Sequence, residues 1–425
     1  MSDNISDSAM KRKKKRKKYV KIIKRSIFII LLLAIFFVVS QIVIGVKIIY
    51  RQNTIGETLP DTFRIELPVI RNHSNYFCVE ATVNDTCQAN FIFDTNASCL
   101  AKIETVDNMN MHKWSRWPVA FGNYYGQIQM TCMYHFDSFK IQSLTFNRPL
   151  FEGIPKSNTM YDLMTEDVLG RGFIKALFWK FALDDEKMIL FSNKDSLLLQ
   201  KETENFVKID NGLHSNELFF PDISMTADFI FDTGYSEEIM VNEKIFTVLS
   251  EKFTPKIYIF TRRTLAKNDI SYVFDNMNVE WGGIKISNCQ VIYSPITDRC
   301  LIGSPLLDRF NFVFAYNEKV DYRIKDNLYL QPRNNFQQFE SIPYCSDFGF
   351  YIRKSGNEFN INMIEQGGLA DKAGIRLKDK IISIDHGDFD LSNLKELDSY
   401  LSDKKTVHIA IEKKGKVTEI VLTNR

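Results

Sequence analysis

Two segments of the sequence each end an apolar run with an aspartate and a threonine. Residues 91–98 read FIFDTNAS and residues 229–236 read FIFDTGYS, so the first five positions are identical and Asp94 and Asp232 lie 138 residues apart. A buried apolar strand can deliver each carboxylate into a tight turn. Two carboxylates held about 3 Å apart cannot both ionise, so one can act as a general acid and the other as a general base. The repeat therefore predicts a paired-carboxylate site that activates water.

A second pair of similar phrases supports an internal duplication. The phrase VLG ends at Gly170 and the phrase LIG ends at Gly303, and each is followed by a predicted short apolar helix and a strand. These glycines lie 133 residues apart, close to the spacing of the two aspartates. We therefore predict two homologous lobes, at residues 62–200 and 201–332.

Strand-like runs dominate the chain between these landmarks. Hydrophobic residues make up 45% of the sequence, which is typical of globular proteins with well-filled cores. Alternating runs at 76–83 and 86–93 flank Asn84 and Asp85, a pair that favours a hairpin turn. A helix is predicted at 237–252. Short strands with few long helices indicate a mainly β fold of barrel-like lobes.

In these features the sequence resembles the retropepsin-like and pepsin-like aspartic peptidases. Each lobe of that family carries a Φ-Φ-Asp-Thr/Ser-Gly turn and a later Φ-Φ-Gly. The resemblance implies pseudo-two-fold symmetry, hydrolysis of peptide bonds, polypeptide substrates and no cofactor. The roles that it implies are catalytic for Asp94 and Asp232, turn-bracing for Thr95, Thr233, Asn96 and Gly234, and turn-supporting for Gly170 and Gly303.

The family also closes a β-hairpin flap over its substrate. The candidate here is the sequence GNYYG at 122–126, which lies between apolar strands. The resemblance implies that Tyr124 or Tyr125 touches the substrate.

Lobe one departs from the family pattern at Asn96, where the family has glycine. Glycine is favoured there because the backbone passes close to the opposite carboxylate and often needs unusual dihedral angles. Asparagine tolerates positive φ, and its amide could donate a hydrogen bond to a carboxylate. We expect a tuned active site. The alternative is an inactive peptide-binding or scaffold protein that retains the cleft.

Charge is segregated along the chain. Residues 1–26 hold 11 Lys or Arg and two acidic residues, so the net charge of +2 becomes −7 for the remainder. A mildly acidic body excludes a broad nucleic-acid-binding face.

An apolar run follows the basic arm. Residues 27–46 are apolar apart from Ser40, Gln41 and Gly45. About 20 residues at about 1.5 Å each span a bilayer, so we predict a single-pass signal anchor at 27–50. The positive-inside rule implies a cytoplasmic arm and a periplasmic or extracellular body. A cleaved signal peptide is the alternative, although this run is long for one.

The sequence changes character after residue 336. Residues 347–350 read DFGF, residues 367–375 read GGLADKAGI, and residues 379–384 read DKIISI. This order resembles the PDZ domains that are attached to bacterial proteases, and the match covers residues 336–425. The resemblance implies that a loop binds the carboxyl terminus of an extended peptide through Phe348, Gly349 and Phe350. Such a domain would recruit or gate substrate. A rigid cap with an empty groove and an unrelated α+β domain are the alternatives.

Other chemistries have little sequence support. The chain has seven cysteines and six scattered histidines, with neither a CxxC nor an HExxH motif, so no metal site is expected. The sequence contains no GxSxG motif for a serine nucleophile.

Overall fold

The structure is a computed structural model that describes residues 3–424, except for residues 73, 123–127, 159–160, 162–163, 262–267, 321–322, 340–345, 356–357 and 414. The elements up to residue 202 are α1 (Asp3–Asn53), β1 (Arg64–Pro68), β2 (Ile70–Arg71), β3 (Phe77–Val83), β4 (Cys87–Phe93), β5 (Leu100–Lys102), α2 (Ile103–Asn108), β6 (His112–Lys113), β7 (Val119–Gly122), β8 (Ile128–Thr131), β9 (Met133–His135), β10 (Phe139–Ile141), β11 (Leu144–Phe146), β12 (Phe151–Ile154), β13 (Asp167–Leu169), α3 (Arg171–Ile174), β14 (Phe178–Ala182), β15 (Lys187–Phe191) and α4 (Ser196–Glu202).

The elements that follow divide at residue 336. Those before it are β16 (Val207–Ile209), β17 (Asn216–Phe220), β18 (Met225–Asp232), β19 (Ile239–Val241), α5 (Glu243–Lys252), β20 (Lys256–Thr261), β21 (Asn268–Trp281), β22 (Ile284–Tyr293), β23 (Leu301–Gly303), α6 (Ser304–Leu307), β24 (Phe310–Val320) and β25 (Arg323–Pro332). Those after it are β26 (Phe350–Ser355), β27 (Glu358–Glu365), α7 (Leu369–Lys372), β28 (Lys380–Ile384), α8 (Leu397–Ser402), β29 (Thr406–Lys413) and β30 (Lys416–Thr423).

The fold is mainly β, as the sequence predicted. In lobe one β4 pairs in parallel with β13, which pairs antiparallel with β5. In lobe two β18 pairs in parallel with β23, which pairs antiparallel with β19. A pairing between β17 and β21 closes the strands of lobe two into a barrel. Each aspartate therefore follows or ends a central strand that is paired on both sides.

One sheet and one core join the two lobes. The strand order β1-β15-β14-β24-β25-β16 crosses from lobe one to lobe two where β14 pairs with β24. Phe314 of β24 lies against Phe93 and Phe231, the residues that precede the two aspartates, with ring centroids 5.6 and 5.4 Å apart. Burying these rings together fixes the ends of both aspartate strands relative to one another.

Local sequence signals explain two further elements. The predicted hairpin forms between β3 and β4, with positive φ at Asn84 (48°) and Asp85 (61°). The predicted helix at 237–252 is wrong at its start, because Ile239–Val241 joins the sheet as β19. Helix α5 begins at Glu243, where the Asn242 side chain accepts the backbone N–H of Ile245.

Helix α1 is the one described helix that is long and apolar enough to cross a membrane, although a signal sequence passes the same test. Most of its apolar residues are exposed. A half-buried or buried stripe, spaced as one helical face, packs against lobe one and consists of Gln41, Ile44, Gly45 and Ile48.

The segment from residue 346 has its own hydrophobic cluster, formed by strands β26 to β30 with α7 and α8. Its sheet also continues the sheet of lobe two, because β27 pairs antiparallel with β20. Tyr258, Ile259 and Phe260 pair with Glu365, Ile364 and Met363.

Candidate active site

Two reciprocal threonine contacts join the turns that follow β4 and end β18. The backbone N–H of Thr95 donates to Thr233 Oγ1 over 3.0 Å, and the N–H of Thr233 donates to Thr95 Oγ1 over 3.1 Å. The Thr233 hydroxyl donates to the Phe93 carbonyl over 2.7 Å, while the Thr95 hydroxyl donates to the Phe231 carbonyl over 3.4 Å. These buried bonds bring residues 138 positions apart into one rigid unit.

Backbone amides hold one oxygen of each carboxylate. The N–H groups of Asn96 and Ala97 donate to Asp94 Oδ1 over 2.8 and 2.9 Å. The N–H of Gly234 donates to Asp232 Oδ1 over 2.9 Å. The two carboxyl groups also interact directly, because a hydrogen bond between them and the repulsion of their charges affect their pKa values.

The environment of the pair favours retention of a proton. Burial raises the pKa of Asp94 to about 7, and the negative charge of Asp232 adds to this effect. Burial also raises the pKa of Asp232, but the Asn96 amide and the Gly234 N–H oppose the rise by stabilising the anion. Burial thus raises the pKa of both carboxyl groups, so the pair retains a proton at a pH where an exposed aspartate is ionised.

Asn96 and Gly234 occupy matching positions with different consequences. Neither lies at positive φ, so the dihedral reason for glycine that the sequence suggested is wrong here. Glycine is needed at position 234 because the opposite carboxylate lies so close that a Cβ atom there would overlap Asp94 Oδ2. On the other side the Asn96 amide donates to Asp232 Oδ2 over 3.2 Å. The Asn96 side chain thus gives Asp232 a second N–H donor beside Gly234, which matches the two backbone N–H donors of Asp94.

The two predicted supporting glycines lie directly beneath these turns. A Cβ atom on Gly170 would overlap the backbone of Ala97 and Ser98, and one on Gly303 would overlap the Glu237 carbonyl. Their φ angles are negative, so glycine is needed here for space rather than for backbone freedom.

Three charged or hydroxylated residues without a sequence motif interact with the pair or with the turn that follows Asp94. Burial raises the pKa of the Tyr76 hydroxyl, with smaller contributions from Glu237 and the dyad, and this hydroxyl hydrogen-bonds Ser236. Burial raises the pKa of Glu152 to about 7, although the Ser98 hydroxyl donates to it over 3.1 Å. The positive charge of Arg299 lowers the pKa of Asp232. Only the three-dimensional approach of distant strands reveals these neighbours.

The remaining predicted site residues lie elsewhere. Tyr124 and Tyr125 fall outside the described residues, between β7 and β8. Phe348 and Phe350 are fully buried in the core of the carboxyl-terminal segment, so neither presents apolar surface to solvent. Gly349 has a φ of +77°, and its carbonyl accepts the N–H of Glu365.

One group of side chains in the described chain has donor atoms suited to a metal ion. Ligand atoms of His386, His408 and Glu419 lie within 4.8 Å of one another on the carboxyl-terminal segment, away from the aspartate pair in sequence. Glu419 Oε1 lies 3.0 Å from His408 Nδ1, so these groups also satisfy one another without an ion.

The sequence matches no protein-family model and no curated protein. The solved structures similar to this chain include a retropepsin-like aspartic protease from Rickettsia conorii. The match has 17% identity and a TM-score of 0.24, and it covers 31% of this chain and 94% of the other.

Proposed function

We propose that this protein is an aspartic endopeptidase tethered to a membrane by α1. The observation that carries the proposal is the hydrogen-bonded pair of Asp94 and Asp232, which the reciprocal bonds of Thr95 and Thr233 hold in one unit. Two carboxyl groups that share one proton supply both an acid and a base at one point. The repeated strand pairings around them support a pseudo-two-fold arrangement of lobes at 62–200 and 201–332.

We base the proposed roles of the two aspartates on the asymmetry of their surroundings. Asp232 is the base, because the Asn96 amide stabilises its anion, and Asp94 is the acid. Asp232 removes a proton from water as the water oxygen attacks the peptide carbonyl carbon, and Asp94 donates its proton to the carbonyl oxygen. As the resulting gem-diol collapses, one of its hydroxyls returns a proton to Asp94, the C–N bond breaks, and the leaving nitrogen takes up the proton held by Asp232.

The hairpin of β7 and β8 is the proposed flap of this cleft. It precedes β12 and follows α2, just as the hairpin of β20 and β21 follows α5 in lobe two. The offset of 138 residues between the aspartates also relates Val119 in β7 to Ile257 in β20. Tyr124 and Tyr125 keep their proposed role as substrate contacts at the tip.

For the carboxyl-terminal segment we propose a PDZ domain, at residues 336–425, that gates this cleft. Among the described residues β26 pairs only with β27, which leaves one edge of β26 for an added peptide strand. The Gly349 loop is bonded to Glu365, and Glu365 in turn pairs with Tyr258 of the lobe-two hairpin. A peptide bound at the Gly349 loop would thus affect β20, the lobe-two strand that pairs with β27.

Digestion of a peptide library by the full chain in lipid nanodiscs tests the proposal. Asp94→Asn and Asp232→Asn should each abolish cleavage, since neither a lone acid nor a lone base completes the reaction. Asp228→Asn is the matched control, because this exposed residue belongs to the same strand as Asp232. Full activity in either dyad variant would overturn the proposed mechanism, and no cleavage by the parent across acidic and neutral pH would favour the scaffold alternative.

A further inference from the structure

The hairpin of β7 and β8 carries apolar side chains on both of its faces. Val119 and Phe121 face inward and cluster with Ile44 and Ile48 of α1. On the opposite face Ala120, Ile128 and Met130 are exposed, Ile128 to 77%. The neighbouring Trp117 is 64% exposed. We call the outward set, Trp117, Ala120, Ile128 and Met130, the apolar hairpin face. A hairpin in water normally buries one apolar face and exposes a polar face to solvent.

The hairpin is attached to the apolar part of α1 by a polar side chain. Gln41 Nε2 donates to the Pro118 carbonyl over 3.2 Å, and Gln41 Oε1 accepts the N–H of Ala120 over 3.1 Å. The other polar side chain of the run, Ser40, donates to the Phe37 carbonyl within its own helix. Gln41 therefore satisfies one donor and one acceptor on the outer edge of β7.

The position of Gln41 fixes the depth of the hairpin. Gln41 lies five residues before Val46, the last residue of the apolar run, which corresponds to about 8 Å along the helix axis. Unpaired backbone groups cost several kcal/mol at hydrocarbon depth, so a strand edge placed there needs the partner that Gln41 provides. Elements that lie in the interface bury their apolar side by about 5–10 Å.

We propose that the apolar hairpin face inserts into the lipid bilayer that α1 spans. The occupant of this face is lipid, because the same hairpin is bonded to the membrane-spanning part of α1. Exposed Lys113 and Arg116 precede the hairpin and suit the headgroup level, and the Arg116 guanidinium lies 5.9 Å from the ring of Trp117. Tryptophan with an adjacent cation is typical of a membrane–water interface.

The inference deepens the proposed function, and rests on it for the role of this hairpin as the flap. A flap embedded in the interface opens the cleft at the membrane surface. The substrates are then polypeptide segments close to a bilayer, such as the stalks of membrane-anchored proteins, rather than freely diffusing peptides.

Tryptophan quenching by lipid tests the contact without requiring catalysis. The full chain is placed in nanodiscs of phosphatidylcholine and phosphatidylglycerol, with or without bromine on the acyl chains. Trp179 and Trp281 are fully buried and Trp114 is half-buried in its cluster, whereas Trp117 is 64% exposed, so Trp117 should supply most of the quenching. Trp117→Phe should therefore lose most of the quenching that the parent shows. Equal quenching in both would overturn the proposal.

Charge on the hairpin provides a second measurement. Ile128→Asp with Met130→Asp should lift the face from the bilayer and reduce quenching of Trp117. Leu197→Asp, at a residue of α4 that is 78% exposed, is the matched control and should quench like the parent. Equal loss in the control, or no loss in the double variant, would contradict the inference. Carbonate extraction of the chain tests the α1 span separately, and peptide digestion tests the peptidase activity, so their failures are distinguishable from this one.

Discussion

The Asn96 side-chain amide donates a hydrogen bond to Asp232 Oδ2 over 3.2 Å, and the matching position beside Asp94 is Gly234, which has no side chain. Two carboxyl groups in a symmetric setting would have no reason to differ in acidity. Here each anion has two N–H donors, but one donor to Asp232 is a side-chain amide and the charge of Arg299 also lowers the pKa of Asp232, and on this difference we base the proposed ionisation of Asp232. The Asn96 side chain therefore distinguishes Asp232, the proposed base, from Asp94, the proposed acid.

Removing that amide should change the pH profile of cleavage. In Asn96→Gly the pKa of the base Asp232 rises, because its anion loses a hydrogen bond. The acidic limb of the bell-shaped profile should therefore move to higher pH by about one unit, as expected for the loss of a charged hydrogen bond of roughly 1.5 kcal/mol. The measurement is kcat/KM for one peptide from pH 3 to pH 8, and kcat should fall severalfold below the optimum.

Asn96→Ala separates the amide from the backbone effect of glycine. It keeps the Cβ atom and removes only the donor, so it should shift the acidic limb in the same direction. An unchanged limb in both variants would show that the amide does not set the acidity of Asp232. Because the two aspartates titrate as a pair, the profile reports the dyad rather than either residue alone.

The raised pKa of Asp94 also predicts how stability depends on pH. The folded state binds a proton more tightly than the unfolded state between the ordinary value of 3.8 and about 7, so stability falls as pH rises through this window. Asp94→Asn removes this dependence and relieves the repulsion between the carboxylates. At pH 7 the variant should be more stable than the parent by on the order of 1 kcal/mol.

Thermal unfolding of the full chain in nanodiscs at pH 4.5 and pH 7 measures this difference. The gap between parent and Asp94→Asn should widen at the higher pH. A gap that is constant with pH would mean that the pair retains no proton in this range.

The threonine cross-brace predicts an unequal pair of substitutions. Thr233→Val leaves the buried Thr95 N–H and the Phe93 carbonyl without partners, which costs about 1–3 kcal/mol for each group. Thr95→Val should cost less, because the bond from Thr95 to the Phe231 carbonyl is the longer one at 3.4 Å. Thr233→Ser keeps the hydroxyl and is the control, with a melting temperature near that of the parent.

The sequence alone predicts the parts of this site that depend on repeated local patterns. The duplicated apolar strand places Asp94 and Asp232, and the later phrases place Gly170 and Gly303 beneath their turns. Both phrases are short-range signals, because a run of apolar residues or a glycine indicates how its own stretch of chain is buried. The same signals misplace the start of α5, because sheet pairing of Ile239–Val241 overrides a helical pattern.

Other features depend on contacts that no local pattern encodes. In the sequence Gln41 is only a polar residue within an apolar run. Its role becomes clear in the structure, where its amide bonds the Pro118 carbonyl and the Ala120 N–H. The asymmetry of the dyad depends on the hydrogen bond from the Asn96 amide to Asp232, two residues that are 136 positions apart in the sequence. The pairing of β20 with β27 joins two segments that the sequence separates into different domains.

The glycine of the carboxyl-terminal loop provides the last prediction. Gly349 lies at a φ of +77°, and an added Cβ would come within 3.3 Å of the Glu365 Cβ. Gly374 has a similar φ of +85°, with nothing within 4 Å of the added atom. Both alanine variants therefore carry a similar backbone cost of about 1 kcal/mol, but only Gly349→Ala crowds the loop. In the full chain, Gly349→Ala should lose binding of fluorescent peptides that have a free terminal carboxylate, whereas Gly374→Ala should bind like the parent. Peptides with an amidated terminus should bind to neither variant. Equal binding by the two variants, or no binding by the parent, would favour a rigid cap.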